Sequence, residues 1–430
     1  MERELREFRP PSAVELGLPD GLVWPRYGGR SVGNLASTVC QALGAPKALP
    51  QEALAPLAPG LVDDMFDGVR RVVLLVIDAM GWIALQRVMD GGNGLVFHDL
   101  AQRGRLMPLT TTFLSTTNSV LSTIFTGRPP AQHGLLAYEL YLREWLMAVE
   151  SIGFSSPWEP FTNTLLKWGF EPEKFLPVPS VAQRLAARGV ATVSVTHKSI
   201  ATTPLSRMHF RGAKETRGYS HASDFWVLLR QVLRDNRSGR LFLAGYWSAV
   251  DTLAHKFGPE DETGEAEIRS IALLMDDIFL KRLPAEDREG TLLLITADHG
   301  QIATPTSSTM VYAQHPLLRD ALWMPPIGEG RVPFFYVRDG AYDRALGYLQ
   351  DHFGEQFRFL SRQQVLDAGL LGPGPVYHEV PFRLGDIIGI ATGDGAFART
   401  PEDAKRLPGR HGGLTPEEML VPLLAVRLDA

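Results

Sequence analysis

"RVVLLVID", residues 71–78, decides how this chain is read. Six consecutive apolar residues, four of them β-branched, end on an aspartate. Alternating apolar and polar positions would mark a strand with one wet face. An unbroken apolar run of this length marks a strand covered on both faces, as parallel strands are. Three similar runs lie further along the chain: "VATVSVT" (190–196), "RLFLAGYW" (240–247) and "GTLLLITAD" (290–298). Helical patterns separate them, beginning near Gly81, at "SVAQRLAARG" (180–189) and at "EAEIRSIALLMDDIFLKRL" (265–283). Strands alternating with helices predict an α/β fold with a mostly parallel central sheet and helices on both faces. Such sheets bind ligands beyond the carboxyl ends of their strands, so the residues there are the candidates for chemistry.

The flanking segments differ in character. Residues 1–70 are rich in Pro and Gly, with one helix expected at "SVGNLASTVCQALG" (31–44), and read as an extension packed on the core. Residues 301–405 hold strand-like "VPFFYVRDG" and helix-like "AYDRALGYLQDHFG" among frequent Pro, Gly and aromatics. They read as an inserted cap, which leaves 71–300 and 406–430 as the catalytic core.

The composition of 430 residues, 45% hydrophobic and 21% charged, is that of an ordinary globular protein. A net charge of -5 argues against a nucleic-acid duplex as the partner. The one cysteine, Cys40, excludes a disulfide framework and a thiolate metal cluster. No apolar run approaches the roughly 20 residues of a membrane span, and "MERELREF" is not a secretory signal. A cytoplasmic protein with no membrane attachment is therefore expected. Nothing in the sequence specifies an oligomeric state.

The strand ends carry metal-type ligands. "VVLLVIDAMG" supplies Asp78, "GYWSAVDTLAHKFGP" supplies Asp251 and His255, and "LLLITADHGQ" supplies Asp298 and His299. "GRHGGLTPEEMLVPLL" places His411 before the last apolar run. Taken singly, these residues are equally suited to turns, caps or an i,i+4 ion pair. Together, three aspartates and three histidines at one end of a sheet supply two sites of mixed nitrogen and oxygen ligands. Zinc suits such a set, and manganese or magnesium accept its carboxylate-rich versions. "STTNSVLSTIFTG" (115–127) adds a run of hydroxyls at a helix start. There they are expected to cap the helix, or to supply a nucleophile that a bound cation and the helix dipole activate.

Five segments in order, "VIDAMG", "STTNSVLSTIFTGRPPAQHG", "YWSAVDTLAHKFGP", "TADHGQ" and "HGGLTPEEMLVPLL", give the chain its resemblance. It resembles the alkaline phosphatase superfamily, and within it the type I phosphodiesterase/nucleotide pyrophosphatase family. The resemblance implies a nucleophile ten residues before Gly127 of "TGRPPAQHG", which is Thr117, with Thr116 as the alternative in a shifted register. It further implies one divalent metal on Asp78, Thr117, Asp298 and His299 and a second on Asp251, His255 and His411. Both are expected to be zinc, with manganese as the alternative. His133 matches a family position that is not a ligand and reads as structural. The implied reaction is hydrolysis of a phosphodiester or pyrophosphate bond in a small, nucleotide-type phosphate ester, through a phosphothreonine.

One position departs from the family pattern. Where diester-cleaving members carry an Asn that donates to the phosphate, this chain has Tyr138; Asn118, beside Thr117, is a second candidate donor. Phosphomonoesterase, phosphonate hydrolase and phosphotransferase readings on the same scaffold stay open, as does a metal-binding protein without catalysis. A sulfatase would need an oxidisable Cys or Ser in place of Thr117. No G-x-x-x-x-G-K-[ST] loop is present, and "GDGAFAR" lacks the spacing of a dinucleotide site. Trp158, Phe161, Trp168 and Tyr312 are candidates to stack a nucleobase, and Lys198 to meet a phosphate.

Overall fold

The structure, a computed structural model, describes residues 1–92, 95–158 and 163–430. Its centre is a seven-stranded sheet. The strands are β1 (Arg71–Ile77), β2 (Arg105–Thr110), β3 (Ala191–His197), β4 (Glu215–Tyr219), β5 (Leu241–Trp247), β6 (Thr291–Thr296) and β7 (Leu420–Arg427). They lie in the order β2-β7-β6-β1-β5-β3-β4. β6, β1, β5, β3 and β4 are mutually parallel, with Ile77 beside Trp247 and Leu75 beside Ile295. β7 runs antiparallel between β6 and β2.

Every residue of β1 and β6 is buried, as their unbroken apolar runs require. Helices Trp82–Asp90, Ala222–Asp235 and Glu262–Leu274 pack on the core of these strands through Leu85 and Val88, Phe225, Leu229 and Val232, and Ile268 and Ile271. Even Arg71, fully buried at the start of β1, is compensated. It donates to Thr291 Oγ1 at 3.1 Å and to the carbonyls of Arg237, Glu286 and Glu289. The expected helices form at Val181–Ala186, capped by Ser180, and at Leu35–Ala42. The long pattern at 265–283 is not one regular helix: it opens into a π-helix over Met275–Leu280.

A second, antiparallel sheet of four short strands lies within residues 327–391 and encloses its own cluster, with Phe335, Phe359 and Ile387 at its centre. The helix Tyr342–Phe353 packs there through Ala345, Leu349 and Phe353. Among the described residues no helix is long and apolar enough to cross a membrane.

β7 explains how a residue before a strand joins residues that follow strands. Because β7 is antiparallel, its amino end lies at the carboxyl end of β6 and β1. His411 therefore arrives at the same edge as Asp78 and Asp298.

Candidate metal centre

Two glycines set the approach of the loops at this edge. Gly81 follows β1 and Gly300 follows β6, and they stand back to back. A Cβ on Gly300 would lie 2.1 Å from the Glu417 carbonyl oxygen and 3.1 Å from Gly81 Cα. No side chain fits there, and the two loops close on each other. Ala79 takes a left-handed conformation, φ 58°, directly after Asp78. Its N–H donates to Asp298 Oδ1 at 3.2 Å, tying the two aspartates together.

Asp78, Asp298 and His299 form one group of ligand atoms, all within 4.8 Å of one another and all buried. Asp78 Oδ2 accepts from the Tyr246 hydroxyl, while its Oδ1 and Asp298 Oδ2 have no hydrogen-bond partner. Burial, and then the neighbouring Asp298 and Asp251 carboxylates, push Asp78 well above the usual carboxylate range. Asp251, His299 and His411 form a second group on the same 4.8 Å criterion. His255, one turn beyond Asp251 on the helix Ala249–Phe257, brings Nε2 to 3.4 Å from Asp251 Oδ1. His299 belongs to both groups, and its ring stacks on His411 with centroids 3.7 Å apart.

The imidazoles are oriented for ligation. Nδ1 of His255 lies 2.8 Å from the Gly409 carbonyl, that of His411 2.9 Å from Ser115 O, and that of His299 3.1 Å from Gly300 O. A carbonyl only accepts, so each Nδ1 carries the proton and each Nε2 presents its lone pair. His133 has the opposite arrangement. Its Nδ1 accepts from Leu135 N at 3.1 Å, so Nε2 holds the proton and donates to Thr123 Oγ1 at 3.0 Å. Burial pushes His133 down to about 3, keeping it neutral. His133 thus ties the turn at Gly134 to the helix Thr117–Thr126 and presents no lone pair to a metal.

The hydroxyl run divides its work among three partners. Ser115 Oγ donates to Gly413 O at 2.8 Å and accepts from Gly412 N at 3.1 Å, stitching this loop to the His411 loop. Thr116 Oγ1 donates to Glu329 Oε1. Thr117 Oγ1 lies 3.2 Å from His299 Nε2, facing the ligand groups. No side chain caps the helix, which departs from the capping role expected of these hydroxyls. Each is engaged elsewhere, and the N–H groups of the first turn stay open to an anion.

Asn118 also departs from expectation. Its amide hydrogens go to Ala137 O and to Ser151 Oγ inside the protein, so none remains for a phosphate oxygen. Tyr138 lines a cleft with His255, His411, Glu329 and Arg410. Burial, then the carboxylates of Glu150, Glu139 and Glu329, raise its phenol above the ordinary tyrosine range, so it stays protonated. Of the candidate stacking aromatics, Trp158 is exposed beneath Arg399, Trp168 is exposed and Tyr312 is buried. Phe161 lies outside the described residues. Lys198 is exposed at the end of β3.

Glu329 has no counterpart in the sequence reading. It accepts from Thr116 Oγ1 and from Tyr138 N at 2.9 Å, joining the second sheet to the loop of hydroxyls. Burial raises it to about 8, against the lowering effect of those two hydrogen bonds. Gly412 admits it: a Cβ there would sit 2.9 Å from Glu329 Cβ.

Buried carboxylate oxygens without partners, beside imidazoles whose lone pairs converge on them, are the donor set of a divalent cation site. The sequence model of the type I phosphodiesterase/nucleotide pyrophosphatase family matches residues 72–414. The chain belongs to that family. It is an enzyme, a hydrolase of the phosphodiesterase/nucleotide pyrophosphatase kind. No individual curated protein sequence matches it. Among solved structures it resembles murine ectonucleotide pyrophosphatase/phosphodiesterase 5, at 16% identity and a TM-score of 0.63 over 83% of this chain and 87% of that one. The human counterpart matches at 18% identity with the same TM-score, 0.63, over 83% and 87%. Phosphonoacetate hydrolase from Sinorhizobium meliloti 1021, in complex with phosphonoformate, matches at 18% identity and a TM-score of 0.58, covering 82% and 89%. At these identities the similarities show a shared phosphodiesterase-family fold.

Proposed function

We propose that this enzyme hydrolyses phosphodiester or pyrophosphate bonds in small nucleotide-type substrates, with Thr117 as the nucleophile and a phosphothreonine intermediate. The observation that carries the reading is the position of Thr117 Oγ1. It stands at an uncapped helix start, 3.2 Å from His299 Nε2, beside both ligand groups. When bound at Asp78, Thr117, Asp298 and His299 and at Asp251, His255 and His411, two divalent cations, zinc or manganese, supply Lewis acidity to the attacking and leaving oxygens.

The chain's own residues do the rest. Thr117 Oγ forms a bond to phosphorus as the bond to the leaving oxygen breaks, and the alcohol or nucleotide departs with a proton. Water then attacks phosphorus, the bond to Oγ breaks, and the threonine hydroxyl is restored. The open N–H groups of the first helical turn receive the charge that builds on the phosphoryl oxygens. His255, His299 and His411 keep their orientation through the Gly409, Gly300 and Ser115 carbonyls. Residues 301–405, which bring Glu329 to Thr116, act as the cap that shapes the substrate cleft.

A second reading, cleavage of monoesters or phosphonates, draws on Tyr138 standing where diester-cleaving relatives have Asn, and on the engaged amide of Asn118. Initial rates on an aryl phosphodiester and the matching monoester separate the two, with the protein loaded with zinc or manganese and a chelated sample as blank. The first reading expects the diester to be faster by tenfold or more. A faster monoester moves the enzyme to the second reading; no turnover above the blank on either ester overturns the first reading and leaves phosphonate cleavage, assayed next on phosphonoacetate, as the form of the second.

A further inference from the structure

Arg410 precedes His411 and lines the cleft that His255, Tyr138 and Glu329 also line. It is only 7% exposed. A guanidinium carries five N–H donors, yet among the described residues Arg410 makes one hydrogen bond, from Nη2 to the Asp403 carbonyl at 3.0 Å, and its Nε has no acceptor. Other deeply buried arginines have acceptors or a paired carboxylate: Arg383, whose Nε is likewise free, donates to Gly134 O at 2.8 Å and faces Glu144 at 3.4 Å. Arg331 pairs with Glu418 and reaches the carbonyls of Gly393 and Gly395, and Arg71 makes four hydrogen bonds. The acids around the cleft already have partners: Glu139 pairs with Arg399, Asp403 with Arg406 at 3.6 Å, and Glu329 accepts from Thr116 and Tyr138 N. The Asp403 and Glu329 carboxylates attract the Arg410 guanidinium but form no ion pair with it, and burial outweighs their pull; a buried cation without a paired counter-charge is costly to hold. Here it stands beside the Asp251, His255 and His411 group, the one that does not include the proposed nucleophile Thr117; because attacking and leaving oxygens lie in line across phosphorus, that group faces the leaving-group side. The cleft encloses about 170 Å³, below the roughly 300–1,000 Å³ of sites for larger ligands. Its occupant is small and close to the reacting phosphorus.

We propose that Arg410 is a specificity-determining residue that binds a second anionic group, a carboxylate or a phosphate, carried on the leaving-group side of the substrate. The proposal rests on the phosphoryl-hydrolase reading for its orientation and goes beyond it in naming the residue that recognises a charged leaving group. Arg410 holds this group through charge-assisted hydrogen bonds, which a planar guanidinium makes in pairs to either oxyanion.

The test measures kcat/KM on two substrate pairs that differ in leaving-group charge. One pair is a phenyl and a 3-carboxyphenyl ester of the same phosphate; the other is methyl phosphate and inorganic pyrophosphate. In R410Q the charged-to-neutral ratio falls about 10- to 100-fold, the range of a hydrogen bond to a charged group, and R410K falls between R410Q and wild type. The pair whose ratio falls further identifies the anion as carboxylate or phosphate. Ratios unchanged within about threefold in both pairs overturn the proposal. A second readout does not depend on turnover: calorimetric binding of malonate and inorganic phosphate to the chelated full-length protein. R410Q weakens at least one of them tenfold or more. Equal binding by wild type and R410Q, or no binding to wild type, overturns the proposal. If no ester turns over but the calorimetric loss is seen, the ester-hydrolysis reading fails and the anion site stands. Should R410Q not fold, R410K is read in both assays, with a loss of at least threefold expected.

Discussion

Replacing Asp78 by Asn removes a negative charge from the centre while keeping its shape, and the stability it gains without cation should shrink when cation binds. Without cation, Asp78 is buried beside Asp298 and Asp251, and this drives its carboxyl well above the ordinary range. The ligand atoms of Asp78 and Asp298 lie within 4.8 Å of each other. Two ionised carboxylates at that distance repel by about 3 kcal/mol at an effective dielectric of about 20. Asparagine abolishes this repulsion and fits the hydrogen bonding. Its oxygen accepts from the Tyr246 hydroxyl, and its amide nitrogen takes the Oδ1 position, 3.5 Å from the His299 Nε2 lone pair. With an unfolding entropy of roughly 2.1 cal/mol/K per residue over 430 residues, ~3 kcal/mol raises the melting temperature by about 3 °C. With cation at a thousand times its dissociation constant, wild type gains about 4 kcal/mol, and the variant, lacking a charged ligand, gains less than half of that. Calorimetric melts of both proteins in chelator and in excess zinc or manganese give the four values needed. D78N melting below wild type in chelator, or equal gains from cation in the two proteins, refutes the reasoning.

Three further outcomes follow from the same geometry. Gly300→Ala places a Cβ 2.1 Å from the Glu417 carbonyl and must part the two ligand loops; a stability loss of about 1–3 kcal/mol and weaker cation binding by calorimetry are expected. Glu418→Gln breaks the fully buried pair with Arg331, Oε1 to Nε 3.0 Å, and should lower urea stability by about 3–5 kcal/mol; a loss under about 1 kcal/mol would contradict it. His133, at about 3 in the fold against roughly 6.5 unfolded, binds its proton first in the unfolded chain, so its contribution is complete above pH 6.5 and is lost as pH falls towards 3. Between pH 7 and 5 wild type should lose about 2 kcal/mol more than His133→Gln, measured by urea unfolding at the two pH values.

The sheet was legible where burial writes itself into composition. β1, β3, β5 and β6 are mostly apolar because helices cover both faces, with β-branched residues in β1, β3 and β6, and a candidate ligand follows each of β1, β5 and β6. β2 and β4 carry no such signal: "RLMPLT" contains Pro108 and "ETRGY" is largely polar, which edge strands tolerate. The reversed direction of β7 was also hidden, since a strand buried on both faces reads alike in either direction. The candidate ligands could be picked out because glycines and strand ends frame them, as Gly81 and Gly300 frame Asp78 and Asp298. Glu329 was not. It lies about thirty residues past the "TADHGQ" motif, and only the folding of the second sheet brings it to Thr116. Arg410 escaped notice for another reason: a lone arginine in "GRHGG" reads as surface until its burial and its lack of a paired carboxylate are seen.

The central claim is that Thr117 attacks phosphorus, and acid quenching during turnover tests it most directly. Wild type, Thr116→Ala and Thr117→Ala, each loaded with cation, are quenched while an aryl phosphodiester is being consumed, and their peptides are mapped by mass spectrometry. The account predicts a phosphoryl adduct on Thr117 in wild type and in Thr116→Ala. It predicts none in Thr117→Ala, with turnover there reduced by several orders of magnitude. An adduct on Thr116, or a Thr117→Ala enzyme that keeps more than about a tenth of wild-type turnover, would contradict it.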